Sequence, residues 1–138
     1  MKADDIISHL KLAPHPEGGY YRQTWIAGNA GRATGTCIYF LLKQGEGSHW
    51  HRVDATEIWH YYAGDPLILR IADTKDGPAK SHILGPNLTG GEYPQVIVPV
   101  GHWQAAATKG AYTLVGCTVS PGFQFEGFEL APPGFEIP

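Results

Sequence analysis

Chain-breaking residues recur so often in this sequence that no long regular element can form. There are 18 Gly and 11 Pro in 138 residues, and most of them fall between short apolar runs. Nine runs have strand character: 20–27, 36–42, 48–53, 57–63, 67–72, 81–84, 95–100, 103–108 and 112–120. The intervening GNAGRATG, KQGEG, DAT, GDP, DTKDGPAK, GPNLTGGEYP, GH and KGA are turn chemistry. Residues 3–12 are the one stretch that reads as an α-helix, with Asp4 or Asp5 to cap it and Ile6, Ile7 and Leu10 on one stripe. Many short strands with little helix predict an all-β jelly roll, a sandwich or barrel, with one short N-terminal helix. We expect a single domain over residues 1–138. The last segment, PGFQFEGFELAPPGFEIP, holds too many Pro and Gly for a regular element. Its four phenylalanines must nevertheless be pinned to the body or to a partner subunit.

Composition excludes several classes. A net charge of -3 provides no basic field for nucleic acid. No apolar run approaches the roughly 20 residues a membrane helix needs, and MKADDIISHLKL lacks a signal-peptide pattern. The two cysteines, Cys37 and Cys117, sit in separate apolar runs and read as buried thiols of a cytoplasmic protein.

The densest chemistry lies in GEGSHWHRVDATEIWHYYAG, residues 45–64. On a regular strand, His49 and His51 share a face about 6.5 Å apart. If the chain doubles back at Asp54–Thr56, Glu57 falls opposite them. Two imidazoles and a carboxylate on one face suit Zn, Fe, Mn or Ni, although an isolated H-x-H more often lies on the wet face of a sheet. Alternation places Trp59 and Tyr61 on the same face as Glu57, with Ile58, His60 and Tyr62 on the other. In HPEGGYYRQTW, Arg22 is either a clamp for an anionic ligand or a partner for Glu17. His102 shares a face with Gln104 and is a candidate ligand-binding imidazole. His9, His15 and His82 belong to no constellation.

The order His49, His51, Glu57, Gly64, followed by Pro99, Gly101 and Gln104 in PVGHWQ, is similar to the paired signatures of the cupin superfamily. The stretches 15–25, 57–67, 84–99 and 114–130 resemble the Cupin-5 branch, a domain of unknown function with an RmlC-like jelly roll. This resemblance implies a metal site at His49, His51, Glu57 and Gln104. A glutamine stands where the superfamily carries its third metal histidine, and five residues separate His51 from Glu57, a longer gap than usual. An amide oxygen is a weaker ligand than imidazole, so any divalent metal is expected to be held weakly. The resemblance also implies a pocket for a small molecule, bounded by His51, Glu57, Trp59, Tyr61 and Gln104, and a homodimer. Two functions remain open. One is a sugar epimerase- or isomerase-like enzyme, with His51 or Glu57 as base and Tyr61 as acid. The other is a non-catalytic binder of a nucleotide, base or sugar, stacked on Trp59 and Tyr61.

Overall fold

The structure, a computed structural model, describes residues 1–28 and 30–138. One helix, α1 (Ala3–Leu10), precedes eleven strands: β1 (Ala13–Pro14), β2 (Tyr20–Ala27), β3 (Gly35–Lys43), β4 (Ser48–Val53), β5 (Thr56–Gly64), β6 (Leu67–Ala72), β7 (Lys80–Leu84), β8 (Gln95–Val98), β9 (Trp103–Thr108), β10 (Tyr112–Ser120) and β11 (Phe128–Leu130). They form two antiparallel sheets, ordered β1-β2-β3-β10-β5-β8 and β11-β4-β9-β6-β7. The layers make an open sandwich rather than a closed barrel. No helix among the described residues is long and apolar enough to cross a membrane.

Alternation decides what goes inside. One end of the space between the sheets is filled by Phe40, Leu42, Trp59, Leu67, Leu69, Leu84, Val96, Val98 and Val115. Toward the other end the inward positions turn polar: Ser48, His51, Glu57 and Gln104 are all buried. Helix α1 covers part of the six-stranded sheet's outer face, where Ile6 and Leu12 pack with Leu41. At its start the Asp5 carboxylate accepts the Lys2 backbone N–H at 3.0 Å, and Lys11 ends it in the left-handed region at φ 57°. The helix therefore stops two residues short of the span read from sequence.

The C-terminal segment departs from expectation in one way. It holds a regular element after all, since β11 pairs with β4, and a short 3-10 turn at Phe125–Gly127 precedes it. It also finds its partners within its own chain. Ile137 and Phe135 join Trp50, Trp103 and Ala131 in a cluster on the outer face of the five-stranded sheet, and the Ala79 N–H donates to the Pro138 carbonyl at 2.7 Å. The tail is therefore pinned to the body, one of the two places the sequence left open for it.

The turn between β1 and β2 carries the strictest backbone demand. Gly18 and Gly19 have φ of 108° and 78°, and a Cβ on Gly18 would collide with the Gly47 carbonyl. Only glycine fits both constraints. We predict that Gly18→Ala lowers stability by more than about 1 kcal/mol, which is roughly 3 °C or more in Tm for a chain of this size. Thermal denaturation followed by circular dichroism measures this. An unchanged midpoint would show that the turn can move off β4.

Candidate functional site

The Gly18–Gly19 turn places two polar side chains at the open end of the sandwich. Within the turn, the His15 N–H donates to the Gly19 carbonyl at 2.9 Å and the Gly18 N–H to the His15 carbonyl at 3.0 Å. The His49 N–H then donates to the Glu17 carbonyl at 2.8 Å and fixes the turn to β4. The Glu17 side chain lies inside, where the Ser48 hydroxyl donates to it at 2.5 Å. The His15 ring accepts the Glu17 backbone N–H at Nδ1, 3.1 Å away.

Three further groups meet this pair. His51, on β4, donates from Nδ1 to the His49 carbonyl at 2.8 Å. That bond fixes the neutral tautomer and leaves Nε2 as a lone pair, 3.5 Å from Glu17 Oε2. Glu57, on β5, accepts an N–H from Gln104 Nε2 at 2.8 Å. Gln104 in turn accepts the indole N–H of Trp59 at 2.8 Å. The result is a buried relay, Trp59 to Gln104 to Glu57. Cys117, on β10, adds its thiol beside Glu57.

Burial governs the charge of this cluster. Desolvation raises Glu17 to about 8, partly offset by the Ser48 hydrogen bond. It raises Glu57 to about 7, with His51 pulling the other way. The same desolvation lowers His15 to about 4, helped by His51, and lowers His51 below its ordinary value. Near neutral pH the floor therefore holds a protonated carboxyl on Glu17, a half-ionised one on Glu57 and two uncharged imidazoles.

These groups line one cavity of about 200 Å³. Tyr21, Gln23, Thr36, Ile38, Val53 and Val119 make its walls, and Phe123 and Phe125 reach it from the C-terminal segment. Phe123, Phe125 and Phe128 stack edge to face on one another at 5.0 to 5.9 Å and lie within 6.5 Å of the His15 ring. The segment is braced at the Phe123 N–H, which donates to Thr36 Oγ1. Arg32 adds a second brace, donating to the Gly122 carbonyl and pairing with both oxygens of Asp54.

Residues 4–131 match the family model described as Cupin superfamily (DUF985). The chain belongs to the Cupin_5 family. Two solved structures share its fold over almost all of its length. A protein from Shewanella oneidensis is 41% identical, with a TM-score of 0.89 over 95% of this chain and 85% of that one. A hypothetical protein from Leishmania major is 32% identical, with a TM-score of 0.89 over 98% of this chain and 90% of that one. Oxalate decarboxylase from Bacillus subtilis superposes with a TM-score of 0.66 over 85% of this chain and 29% of that one. At 15% identity that likeness shows the fold alone. Among curated proteins, none matches.

Within this Cupin_5 chain the residues singled out from sequence go to different places. His51 and Glu57 line the cavity. Trp59 and Gln104 are buried behind Glu57 and reach the cavity only through it. Tyr61 faces the interior farther along β5, but its hydroxyl donates to the Gly64 carbonyl at 2.6 Å and does not line the cavity. Arg22 points outward and donates to the Leu10 carbonyl at the end of α1, so it neither clamps a ligand there nor pairs with Glu17. His102 sits in the turn after Pro99, outside the cavity.

The shared-face reading of His49 and His51 fails for a geometric reason. Strand β4 bulges against β9: Ser48 opposes Ala106 and His51 opposes Gln104, three residues spanning two. The bulge restarts the alternation. Ser48 and His51 face inward together, while the His49 ring turns away to donate from Nε2 to the Pro132 carbonyl at 2.9 Å. Among the described residues, no group of three or more His, Cys, Asp or Glu is arranged to hold a metal ion. The donor set His49, His51, Glu57 and Gln104 does not fit one, because His49 is elsewhere and the Gln104 oxygen is committed to Trp59.

Sequence reasoning missed His15, Tyr21 and the two phenylalanines of the cavity. Tyr21 and Gln23 were legible, since alternation along YYRQTW puts them opposite Arg22. His15 was not, because its position depends on the turn docking against β4.

Two measurements follow from this geometry. Glu17 and Glu57 bind protons more tightly folded than unfolded, so they contribute stability at low pH that is lost as pH rises through 7 to 8. His15 and His51 act oppositely, with a contribution that grows until about one unit above their unfolded value of about 6.5. The histidines are common to both proteins, so between pH 6.5 and 8 Tm should fall more steeply in the natural protein than in Glu17→Gln. Parallel curves would mean that Glu17 is solvated. The second concerns Gln104. Gln104→Leu leaves the buried indole N–H of Trp59 without a partner and removes the amide donor to Glu57, at about 1–3 kcal/mol each, and should be strongly destabilising in urea denaturation. Gln104→His should gain no metal affinity by titration, since His49 faces away.

Proposed function

We propose that this pocket binds a small polar molecule of about one ring and moves a proton between neighbouring carbons, as a carbonyl isomerase does. The observation that carries the reading is the pairing on one floor of an uncharged imidazole, His51, with a carboxyl group that keeps its proton near pH 7, Glu17. Displaced proton affinities in a cleft are the usual mark of acid–base chemistry. A cavity of about 200 Å³ is below the range of drug-sized sites, so a sugar or base enters rather than a whole nucleotide.

The placement of the groups selects among proton-transfer reactions. His51 and Glu17 lie side by side, so a proton leaves and returns on the same face of the substrate. Epimerisation needs an acid and a base on opposite faces, and Tyr61, the expected acid, is engaged elsewhere. In the isomerase sequence His51 Nε2 takes the proton from the carbon beside the carbonyl, and Glu17 gives its proton to the carbonyl oxygen, forming an enediol. The neighbouring hydroxyl then returns a proton to Glu17, and His51 delivers its own to the former carbonyl carbon. Atoms and charge balance with no further reactant.

The test uses free hydroxy-aldehydes and hydroxy-ketones of three to six carbons in heavy water, followed by proton NMR. Deuterium should enter at the carbon beside the carbonyl. His51→Gln should slow this by about 10²- to 10⁴-fold. The rate should fall as pH rises past about 8, where Glu17 loses its proton. Saturable binding with no exchange would instead make the protein a non-catalytic binder of a base or sugar.

A further inference from the structure

The cavity has an unusual charge inventory. Its lining includes two carboxyl groups, Glu17 and Glu57, and no Lys or Arg. The titratable groups facing them are His15 from the turn before β2, His51 from β4, Tyr21 from β2 and Cys117 from β10. None is a cation near neutral pH, since burial suppresses the charge of both imidazoles. The other direct partners are neutral too: the Ser48 hydroxyl on Glu17 and the Gln104 amide on Glu57. A buried carboxylate ordinarily has a cationic partner, and Glu57 has none in the cavity among the described residues.

The walls point to the same ligand chemistry from a different direction. Tyr21, Phe123 and Phe125 present aromatic rings to the cavity, and aromatic faces attract cations through their quadrupole. Aromatic walls over an acidic floor repel anions and suit a compact positive charge carried on an apolar body.

We infer that the occupant of this pocket is an organic cation, a small molecule bearing a protonated amine or amidine group, bound between Glu57 and the rings of Tyr21, Phe123 and Phe125. This rests on the cavity being the functional site, as proposed above, and narrows its substrate to an amine-bearing hydroxy-carbonyl compound. Glu57 supplies the negative charge. Glu17 keeps its proton as the acid, so the two carboxyl groups have separate roles.

Three probes of nearly equal shape separate the charge from the ring: benzylamine, benzyl alcohol and benzoate. Titration of the intact protein at pH 7.5, read by calorimetry and protein NMR, should show benzylamine binding at least tenfold tighter than benzyl alcohol and no saturation by benzoate. Glu57→Gln should remove the preference for the amine while leaving benzyl alcohol bound as before, which also shows that the variant pocket is folded. Equal affinity for amine and alcohol, saturable binding of benzoate, no binding of benzylamine at millimolar concentration, or an amine preference that survives Glu57→Gln would each overturn the inference. The probes are unreactive, so the two readings fail separately. Deuterium exchange without amine preference removes only this inference, and amine preference without exchange removes only the isomerase.

Discussion

The backbone hydrogen bond from His49 to Glu17 fixes the turn after β1 against β4. The Ser48 hydroxyl and the His51 ring meet the Glu17 side chain from the same strand. Glu17 is carried under Ser48 and beside His51, where desolvation decides its protonation. The bond depends in turn on Gly18, because a side chain there would occupy the place of the Gly47 carbonyl. A backbone constraint at the edge of the sheet thus sets the electrostatics of the cavity.

Gln104 has the complementary task on the far side of the floor. A histidine at this position would offer one ring nitrogen as donor and one as acceptor, in a fixed geometry. The amide offers a donor to Glu57 and an acceptor to Trp59 from one planar group. Glu57 is thereby held without a positive charge beside it, and its proton affinity remains high. A metal cation would do the reverse, pulling the carboxylate into its charged form. The glutamine therefore belongs with the bulge that turns His49 outward. Both leave a floor suited to holding protons.

The architecture was largely legible in the sequence because it depends on patterns of short range. Turn residues marked strand ends to within a residue or two, and alternation put Glu57, Trp59 and Tyr61 on one face. His51 and Glu57 were found because they lie on strands where a period of two holds between them and the core. The remainder of the site was hidden by longer-range effects. A bulge is one residue out of phase and leaves no mark in SHWHRV, so His49 was placed on the wrong face. His15 acquires meaning only when its turn docks. The four tail phenylalanines could be seen to need a partner, but not that three of them stack beside His15 and the fourth covers Trp103.

That division of the tail explains why so irregular a segment is retained. Residues 121–130 add one wall to the cavity and then a strand to its sheet. Residues 131–138 cross to the outer face of the same sheet and cover Trp50 and Trp103, whose rings also carry Arg70 and Arg52. Strand β4 is therefore gripped on its edge by β11 and on its outer face by the tail, and its inner face presents His51. Fixing a bulged strand needs such support, because a bulge forfeits ladder hydrogen bonds. The tail adds bonds along the opposite edge of the strand, from the Ala131 N–H to the Trp50 carbonyl and from the His49 ring to the Pro132 carbonyl. The segment that closes the pocket is thus also the one that stabilises the irregular strand from which the His51 imidazole projects.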